Sequence, residues 1–246
     1  LHRIAGAGGV RVLLRKRPRP SERVTAQCFE VEEGGCSPPA PVCAAGQLGS
    51  SASDTIFCRT LHLSVDPYLR CRFNEDTGVD YTRPYSIGAP ISSAGIGHVI
   101  LCGARAKERG LAPGDLVLQP FDSWPWAAAC AIPAASVSRV PPLLGWLIPP
   151  SALLGAAGQP GLTAIIGVEQ VARPRAGETA VVSGAAGAVG HVACQLFKRA
   201  GCRVVGLCGS DVKVAWLQQN GFVDAALNYK SASLPVRLAA ERADIY

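Results

Sequence analysis

A glycine-punctuated turn between an apolar run and an amphipathic segment constrains this chain most. The run Val181-Val182-Ser183 leads into Gly184, Gly187 and Gly190, and apolar residues follow at helical spacing from Val192 to Phe197. This order predicts a strand, a tight turn and a helix, which is the context of a dinucleotide-binding fingerprint. The first glycine permits the turn, the second lets the backbone approach a pyrophosphate, and the third lets the helix pack closely. An ordinary strand-to-helix turn is the alternative interpretation, because the chain contains 27 glycines.

Strand-like and helix-like segments alternate in the second part of the chain. Such alternation predicts a parallel, doubly wound sheet of the Rossmann type. We therefore predict a partial Rossmann domain over residues 146–246, in which a fourth strand begins at Ala243. Its predicted strands cover 179–183, 203–208 and 225–228, and its predicted helices cover 188–199, 211–219 and 233–242.

The first part of the chain, over residues 1–145, is predicted to form a β-rich domain. Several short apolar runs recur there at regular spacing and are joined by turn residues. Within this part, 34–53 is rich in proline, glycine, serine and alanine, and it is predicted to be a long loop or a disordered insert. The predicted strands are Val10–Leu14, Cys28–Glu33, Thr55–Val65, Ile96–Leu101, Leu116–Leu118, Ala127–Pro133 and Ser136–Val140.

Composition narrows the class of protein further. Hydrophobic residues make up 48% of the 246 residues and charged residues 17%, which is typical of a globular chain rather than a disordered one. No apolar run approaches the ~20 residues that span a bilayer, so we expect no membrane partner. The formal charge of +6 is local, because residues 1–23 hold seven basic side chains and one acid. A basic end of this kind is not a nucleic-acid footprint across a face, so no nucleic-acid partner is expected.

Cysteine and histidine patterns give no metal site. The ten cysteines contain no C-x-x-C pair, and the four histidines form no metal-binding spacing. Several cysteines lie in apolar runs, so we interpret them as reduced thiols in a cytoplasmic protein. The chain contains no methionine, and its last residues resemble the start of a strand. We therefore expect a C-terminally truncated fragment that is inactive or unstable, while its full-length parent is active.

The end of the second Rossmann strand indicates which nicotinamide cofactor is preferred. Enzymes selective for NAD usually place an acid there, which binds the ribose 2′-hydroxyl. This chain has Cys208 and Gly209 at that place, followed by Ser210 and Lys213, a neutral loop and a cation that suit a 2′-phosphate. Asp211 competes with this interpretation, although it is expected to cap the helix that starts there. We predict NADPH over NADH.

Several separated segments resemble the zinc-free medium-chain reductases, and in particular the prostaglandin reductase family (15-oxoprostaglandin 13-reductases). The resemblance covers most of residues 55–246. The segment Asn74-Glu75-Asp76-Thr77-Gly78-Val79-Asp80-Tyr81 favours the type 2 members of that family. The other segments are Leu63-Ser64-Val65-Asp66-Pro67-Tyr68-Leu69-Arg70, Leu154-Gly155-Ala156-Ala157-Gly158-Gln159-Pro160-Gly161, Ser183–Gly190 and Asn228-Tyr229-Lys230.

The resemblance implies a fold and a cofactor site. The fold is α/β, with a GroES-like β-rich catalytic domain followed by a Rossmann domain, and the family's site lies in the cleft between the two. The implied cofactor is NADPH: residues 186–189 would hold its pyrophosphate, Lys213 its 2′-phosphate, and Tyr229 would lie along it. The full set of predicted cofactor-binding residues is Gly184, Ala186, Gly187, Ala188, Val189, Gly190, Ser210, Lys213 and Tyr229.

The resemblance also implies the reaction and a substrate wall. The family reduces the carbon–carbon double bond of 15-keto prostaglandins and related enones by hydride transfer to the β-carbon, and the ketone oxygen needs a hydrogen-bond donor. Tyr68 and Tyr81 are the catalytic candidates that would line the enone site. Phe121, Asp122 and Trp124 would form the substrate wall. The alternatives are that Tyr68 packs a turn, that Tyr81 lies on a surface loop, and that Trp124 belongs to the core.

The sequence is also compatible with other functions. Arg70 and Arg72 are either solvated or bind acidic groups of substrate or cofactor. A quinone reductase of the same superfamily is a second enzymatic hypothesis. A non-catalytic RNA-binding member that uses the basic residues 11–23 is a hypothesis from another class. The sequence leaves both a monomer and a homodimer open.

Overall fold

The computed structural model describes residues 9–19, 21–33, 42–43, 47–48 and 53–245. The chain divides into two compact units, Leu1–Leu154 and Gly155–Tyr246. The domain boundary that the sequence suggests, at residues 145–146, stays a prediction. None of the described helices is both long and apolar enough to cross a membrane.

The first unit is built from antiparallel strands, as predicted for the β-rich part of the chain. A five-stranded sheet has the order β8-β5-β6-β7-β9, and β1 pairs with β2 in a smaller sheet. Its helices are short: α1 (Ala104–Glu108), α2 (Pro142–Leu147) and 3₁₀ segments that include Pro67–Phe73 and Pro150–Leu154. The strands are β1 (Arg11–Leu14), β2 (Phe29–Glu32), β3 (Val42–Cys43), β4 (Gln47–Leu48), β5 (Thr55–Leu63), β6 (Ser92–Cys102), β7 (Leu116–Pro125), β8 (Ala129–Pro133) and β9 (Ser138–Arg139).

The insert predicted over 34–53 lies mostly outside the described residues. Within it, β3 and β4 form a two-residue antiparallel pair, in which Val42 lies opposite Leu48 and Cys43 opposite Gln47. The carbonyl of Ser53 accepts hydrogen bonds from the backbone amides of Arg105 and Ala106.

A buried tryptophan packs against two glycines in the core of the first unit. Trp124 on β7 has no exposed surface, and its ring lies over Gly95 and Gly97 of β6. A Cβ at Gly95 would lie 2.3 Å from the Trp124 ring, so no side chain fits there. The indole nitrogen of Trp124 donates a hydrogen bond to Thr60 Oγ1 at 2.9 Å, which satisfies the one polar atom of a buried ring.

The second unit has the alternating strands and helices that the sequence predicts. The three strands of its described part are parallel, in the order β10-β11-β12, and valines occupy buried positions in β10 and β11. The register pairs Thr179 with Arg203 and Val205 with Ala225. The elements are α3 (Gln159–Ile165), a π-helix (Ile166–Ala172), β10 (Thr179–Val182), α4 (Gly190–Arg199), β11 (Arg203–Cys208), α5 (Asp211–Gln219), β12 (Ala225–Asn228) and α6 (Leu234–Ala240).

The order of the parallel strands reverses at β10. Ile245 forms a parallel bridge with Ala180 of β10, and its carbonyl accepts from the Val181 amide at 2.8 Å. The chain therefore passes from β10 through β11 to β12 and then returns to the other side of β10. In open α/β sheets, ligands bind outside the carboxyl ends of the strands at such a reversal. The carboxyl end of β10 is where the glycine turn begins.

Buried cysteines serve as small apolar residues in both units. Burial raises the pKa of the Cys194 thiol to about 12, and it also raises the pKa of Cys58 far above its ordinary value. These thiols therefore stay protonated and unreactive at neutral pH. Among the described residues, the cysteines that form no disulfide include Cys28, Cys58, Cys71, Cys102, Cys130, Cys194, Cys202 and Cys208.

Candidate functional site

The glycine turn joins β10 to α4 in a conformation that depends on glycine. Gly184 has φ +58°, in the left-handed region where side chains are strained, and its carbonyl accepts from the Gly187 amide at 2.7 Å. The amide of Ala185 donates to the Leu207 carbonyl at 2.9 Å, which ties the turn to the neighbouring strand β11. The turn is thus fixed in shape before any ligand binds.

At two glycines of the turn, the neighbouring backbone lies too close for a side chain to fit without a shift. A Cβ at Gly190 would lie 2.3 Å from the Gly184 carbonyl oxygen and 2.8 Å from the Ala185 Cα, so the start of α4 packs directly on the turn. A Cβ at Gly187 would lie 3.1 Å from the same oxygen. The distances at Gly190 agree with the close helix packing that the sequence predicts for the third glycine of a dinucleotide fingerprint. The role predicted for Gly187, approach of the backbone to a pyrophosphate, stays a prediction.

Backbone amides of the turn are available to an anion. Among the described residues, no backbone carbonyl accepts from the amides of Ala188 or Val189, and both residues are exposed to solvent. Exposed amides at the start of a helix attract phosphate groups, because the helix dipole adds partial positive charge there. The residues present therefore fit the pyrophosphate of a dinucleotide.

The loop after β11 shows which residue caps α5. Ser210 is the N-cap, and its hydroxyl oxygen accepts from the Lys213 amide at 3.4 Å. The prediction that Asp211 caps this helix is therefore wrong, because the N-cap is the residue before it. Instead, the Asp211 carboxylate accepts a hydrogen bond from the Asn228 side-chain amide at 2.9 Å. That bond occupies one oxygen of the acid that would compete for a ribose hydroxyl.

Tyr229 and Lys213 lie at the same edge of the sheet. Cys208 and Asn228 are paired in register, so the residues that follow them are neighbours. A Cβ at Gly209 would lie 2.5 Å from the Tyr229 hydroxyl oxygen, which means that the phenol covers the glycine. Tyr229 keeps 51% of its surface exposed. The Lys213 side chain is exposed, and no carboxylate in the described part of the chain pairs with it.

Sequence reasoning missed two polar contacts of this site. One is the hydrogen bond from Asn228 to Asp211. The other joins His191 Nδ1 to the Gly187 carbonyl oxygen at 2.7 Å, so this ring nitrogen carries the proton and the ring braces the glycine turn. The parallel register of β11 and β12 could have revealed the first contact. The second follows from the i, i+4 spacing of Gly187 and His191.

Tyr68 and Tyr81, the two catalytic candidates of the first unit, lie close together. Their ring centroids are 6.3 Å apart and the ring planes meet at 62°, an edge-to-face contact. Tyr68 is half-buried in the 3₁₀ segment Pro67–Phe73, while Tyr81 is 71% exposed. In the described residues, neither hydroxyl has a hydrogen-bond partner, so both phenols can donate to a bound molecule.

Burial and nearby carboxylates keep the Tyr68 phenol protonated. Burial raises the pKa of Tyr68 most, and the charges of Asp122 and Asp66 raise it further, well above its ordinary value. A neutral phenol is a hydrogen-bond donor, which is the form that stabilises a developing oxyanion.

Asp122 belongs to a polar network around the buried guanidinium of Arg72. Its carboxylate accepts from Thr82 Oγ1 at 2.8 Å and lies 3.6 Å from the Arg72 guanidinium. Arg72 is 7% exposed, and it also donates to the backbone carbonyls of Arg83 and Ser92. The network thus joins the segment before Tyr81 to β7. Arg72 is neither solvated nor available to an acidic group, which corrects both of its predicted roles.

The predicted substrate wall divides into exposed and buried residues. Phe121 is 63% exposed and Asp122 is partly exposed, so both remain candidates. Trp124 has no exposed surface, and its predicted role as an apolar contact for substrate is therefore wrong; the core alternative holds. Arg70 is partly exposed, and its guanidinium donates to Asn74 Oδ1 at 3.0 Å and to the carbonyls of Arg19 and Glu22.

The fold and site together define a class of protein: a chain with an antiparallel β-rich unit and a Rossmann unit that carries a glycine turn at a strand-order reversal. A family model described as the N-terminal domain of oxidoreductase matches residues 11–140. The chain belongs to this oxidoreductase family, within the medium-chain dehydrogenases and reductases.

Individual relatives agree with this assignment. The chain is 39% identical over 177 residues, 72% of its length, to a putative NADP-dependent oxidoreductase of Bacillus subtilis, YfmJ. It is 35% identical over 178 residues, again 72%, to prostaglandin reductase 1 of Bos taurus. The chain spans 48% of the length of each of these relatives. The crystal structure of CurA from Vibrio vulnificus matches 94% of this chain and 61% of its own, with 26% identity and a TM-score of 0.74.

Proposed function

We propose that this protein is an NADPH-dependent reductase, and that it reduces carbon–carbon double bonds conjugated to a carbonyl group. The observation that carries the proposal is the glycine turn, whose exposed Ala188 and Val189 amides open helix α4 where the strand order reverses. The names of two relatives support a reduction by NADPH: one is a prostaglandin reductase and the other an NADP-dependent oxidoreductase.

The second unit contains the groups that would hold NADPH. The amides of the turn would bind its pyrophosphate, and the Lys213 ammonium would bind the 2′-phosphate. Ser210 would offer its hydroxyl to the same phosphate. Asp211 disfavours that phosphate by its charge, but its hydrogen bond from Asn228 restrains the carboxylate. The Tyr229 phenol would lie along the cofactor, where its exposed face offers apolar surface.

The first unit contains the groups that would act on the substrate. When bound, NADPH supplies a hydride for the β-carbon of the enone. The π electrons of the carbon–carbon double bond then form a double bond between the α-carbon and the carbonyl carbon, and those of the carbonyl move to its oxygen. A proton from solvent adds at the α-carbon as the carbonyl re-forms. Tyr68 would donate its phenol hydrogen to that oxygen, Tyr81 would hold the Tyr68 ring by its edge-to-face contact, and Phe121 would contact apolar parts of the substrate.

The finer proposal is that 15-keto prostaglandins are substrates, as for the type 2 prostaglandin reductases that the sequence resembles. Both the general proposal of enone reduction and the finer one are tested by measuring NADPH oxidation in the presence of three substrates. These are a 15-keto prostaglandin, a short enone and an ortho-quinone. The proposal expects turnover of both enones and a higher kcat/KM for the prostaglandin. Quinone turnover without enone turnover would instead support the quinone reductase hypothesis.

Replacing Tyr68 by phenylalanine tests the role of its phenol. We expect kcat for the enone to fall about 100-fold, because removing one donor to an oxyanion costs roughly that factor. The KM for NADPH should not change. Because the pKa of Tyr68 is raised, the unmodified enzyme should lose no activity through this phenol as the pH rises from ~7 to ~10.

Tyr85→Phe is the matched control for this substitution. Tyr85 is buried, and its hydroxyl donates to the Ser92 carbonyl, so the change should lower stability while kcat stays within about twofold. If Tyr68→Phe kept the kcat of the unmodified enzyme, Tyr68 would not be the donor.

A further inference from the structure

A hollow with basic walls lies in the first unit, in the segment between β1 and β2. Its volume is about 530 Å³, within the range of small-molecule sites. We call it the basic pocket; its charged walls are Lys16, Arg17, Arg19, Arg23 and Glu22, and Gln27 adds a polar side chain. Neither the glycine turn nor Tyr68 is part of it.

Positive charge in the basic pocket is largely uncompensated. Arg19 lies 3.6 Å from Glu22, which is the one acid among the described residues of the walls. Throughout the described ranges, no carboxylate forms an ion pair with Lys16, Arg17 or Arg23. Like charges that converge on a hollow repel one another, and a bound anion would relieve that repulsion.

The walls of the basic pocket are held in place by hydrogen bonds to the protein. The Arg17 guanidinium donates to the carbonyls of Asn74, at 2.9 Å, and Tyr85. The Arg70 guanidinium donates to the carbonyls of Arg19 and Glu22, at 3.1 and 3.2 Å. A loop that is fixed from two sides loses little conformational freedom when it binds a ligand.

We propose that the basic pocket binds a phosphate-bearing small molecule. Lys16 and Arg23 are exposed and would donate charge-assisted hydrogen bonds to phosphate oxygens, while the fixed Arg17 adds positive charge. A small anion suits the concave shape. Among the described residues, no aromatic side chain lines the pocket, so these walls lack the stacking surface on which single-stranded nucleic acid depends.

Inorganic pyrophosphate is the probe, and calorimetric titration of the protein is the measurement. We expect Arg23→Gln and Lys16→Gln each to raise the dissociation constant about tenfold, because each removes one charge-assisted hydrogen bond. Raising NaCl from ~0.05 to ~0.2 M should weaken binding several-fold. Arg105→Gln, which removes an exposed arginine of α1, is the control and should leave the constant unchanged.

The same variants distinguish pyrophosphate bound in the basic pocket from pyrophosphate bound at the glycine turn. Arg23→Gln and Lys16→Gln do not alter the second unit, so binding at the turn should not change. If pyrophosphate binding were absent, or insensitive to both substitutions, the proposal would be overturned. It would also be overturned if a single-stranded oligonucleotide bound more tightly than pyrophosphate and lost its affinity in the same two variants, because the pocket would then belong to a nucleic-acid surface. Thermal melts of the variants should match that of the unmodified protein.

Discussion

Replacing Gly190 by valine should abolish NADPH binding and lower the free energy of unfolding by about 3 kcal/mol. The reason is steric: the first side-chain atom alone would lie 2.3 Å from the Gly184 carbonyl oxygen, and the atoms in its way are backbone. To make room, α4 must move away from the glycine turn, which displaces the Ala188 and Val189 amides. Quenching of protein fluorescence by NADPH measures binding, and urea titration measures stability.

Gly167→Val provides the control for this experiment. Gly167 lies in the π-helix of the same unit, and a Cβ there meets nothing within 4 Å. This variant should bind NADPH as the unmodified protein does and change stability by no more than about 0.5 kcal/mol. NADPH binding by Gly190→Val with unchanged affinity would remove the turn from the cofactor site.

Replacing Lys213 by glutamate should reverse the preference between NADPH and NADH. The substitution removes one attraction to the 2′-phosphate and adds a repulsion, so we expect the dissociation constant of NADPH to rise about 100-fold, or ~2.7 kcal/mol. NADH lacks that phosphate, so its affinity should change less than about threefold. Titrating both cofactors into the variant measures the two effects together.

Arg199→Glu, a charge reversal at an exposed position on α4, controls for the net charge of the protein. It should shift both affinities equally and by less than about threefold, because exposed charges beyond a Debye length are screened. Equal losses for NADPH and NADH in Lys213→Glu would show that Lys213 does not contact the 2′-phosphate.

The second unit could be predicted closely from the sequence because its signals are local. The run 203–208 contains two buried valines, and glycines with positive φ follow the helices on either side, Gly201 after α4 and Gly221 after α5. The N-cap of α5 was misassigned because Ser210 and Asp211 are both good capping residues, and the choice depends on backbone angles: Ser210 is extended, with φ −159° and ψ 154°.

The first unit was harder to predict because its key contacts are distant in sequence. Trp124 is buried because Gly95 and Gly97 on a neighbouring strand leave space for its ring, and only strand register reveals this. The guanidinium of Arg72 is likewise buried, because it donates hydrogen bonds to the carbonyls of Arg83 and Ser92 and pairs with Asp122. A charged residue in a polar segment gives no local sign of such a network, so Arg72 was misassigned.

The most direct test of the account is an amide NMR titration of the ¹⁵N-labelled protein with NADPH. Phosphate oxygens that accept from the turn would shift the amide resonances of Ala188 and Val189 the most, and Lys213 would respond to NADPH but not to NADH. Resonances of Ala188 and Val189 that stay in place while NADPH binds elsewhere would contradict the central claim, that this turn holds the pyrophosphate.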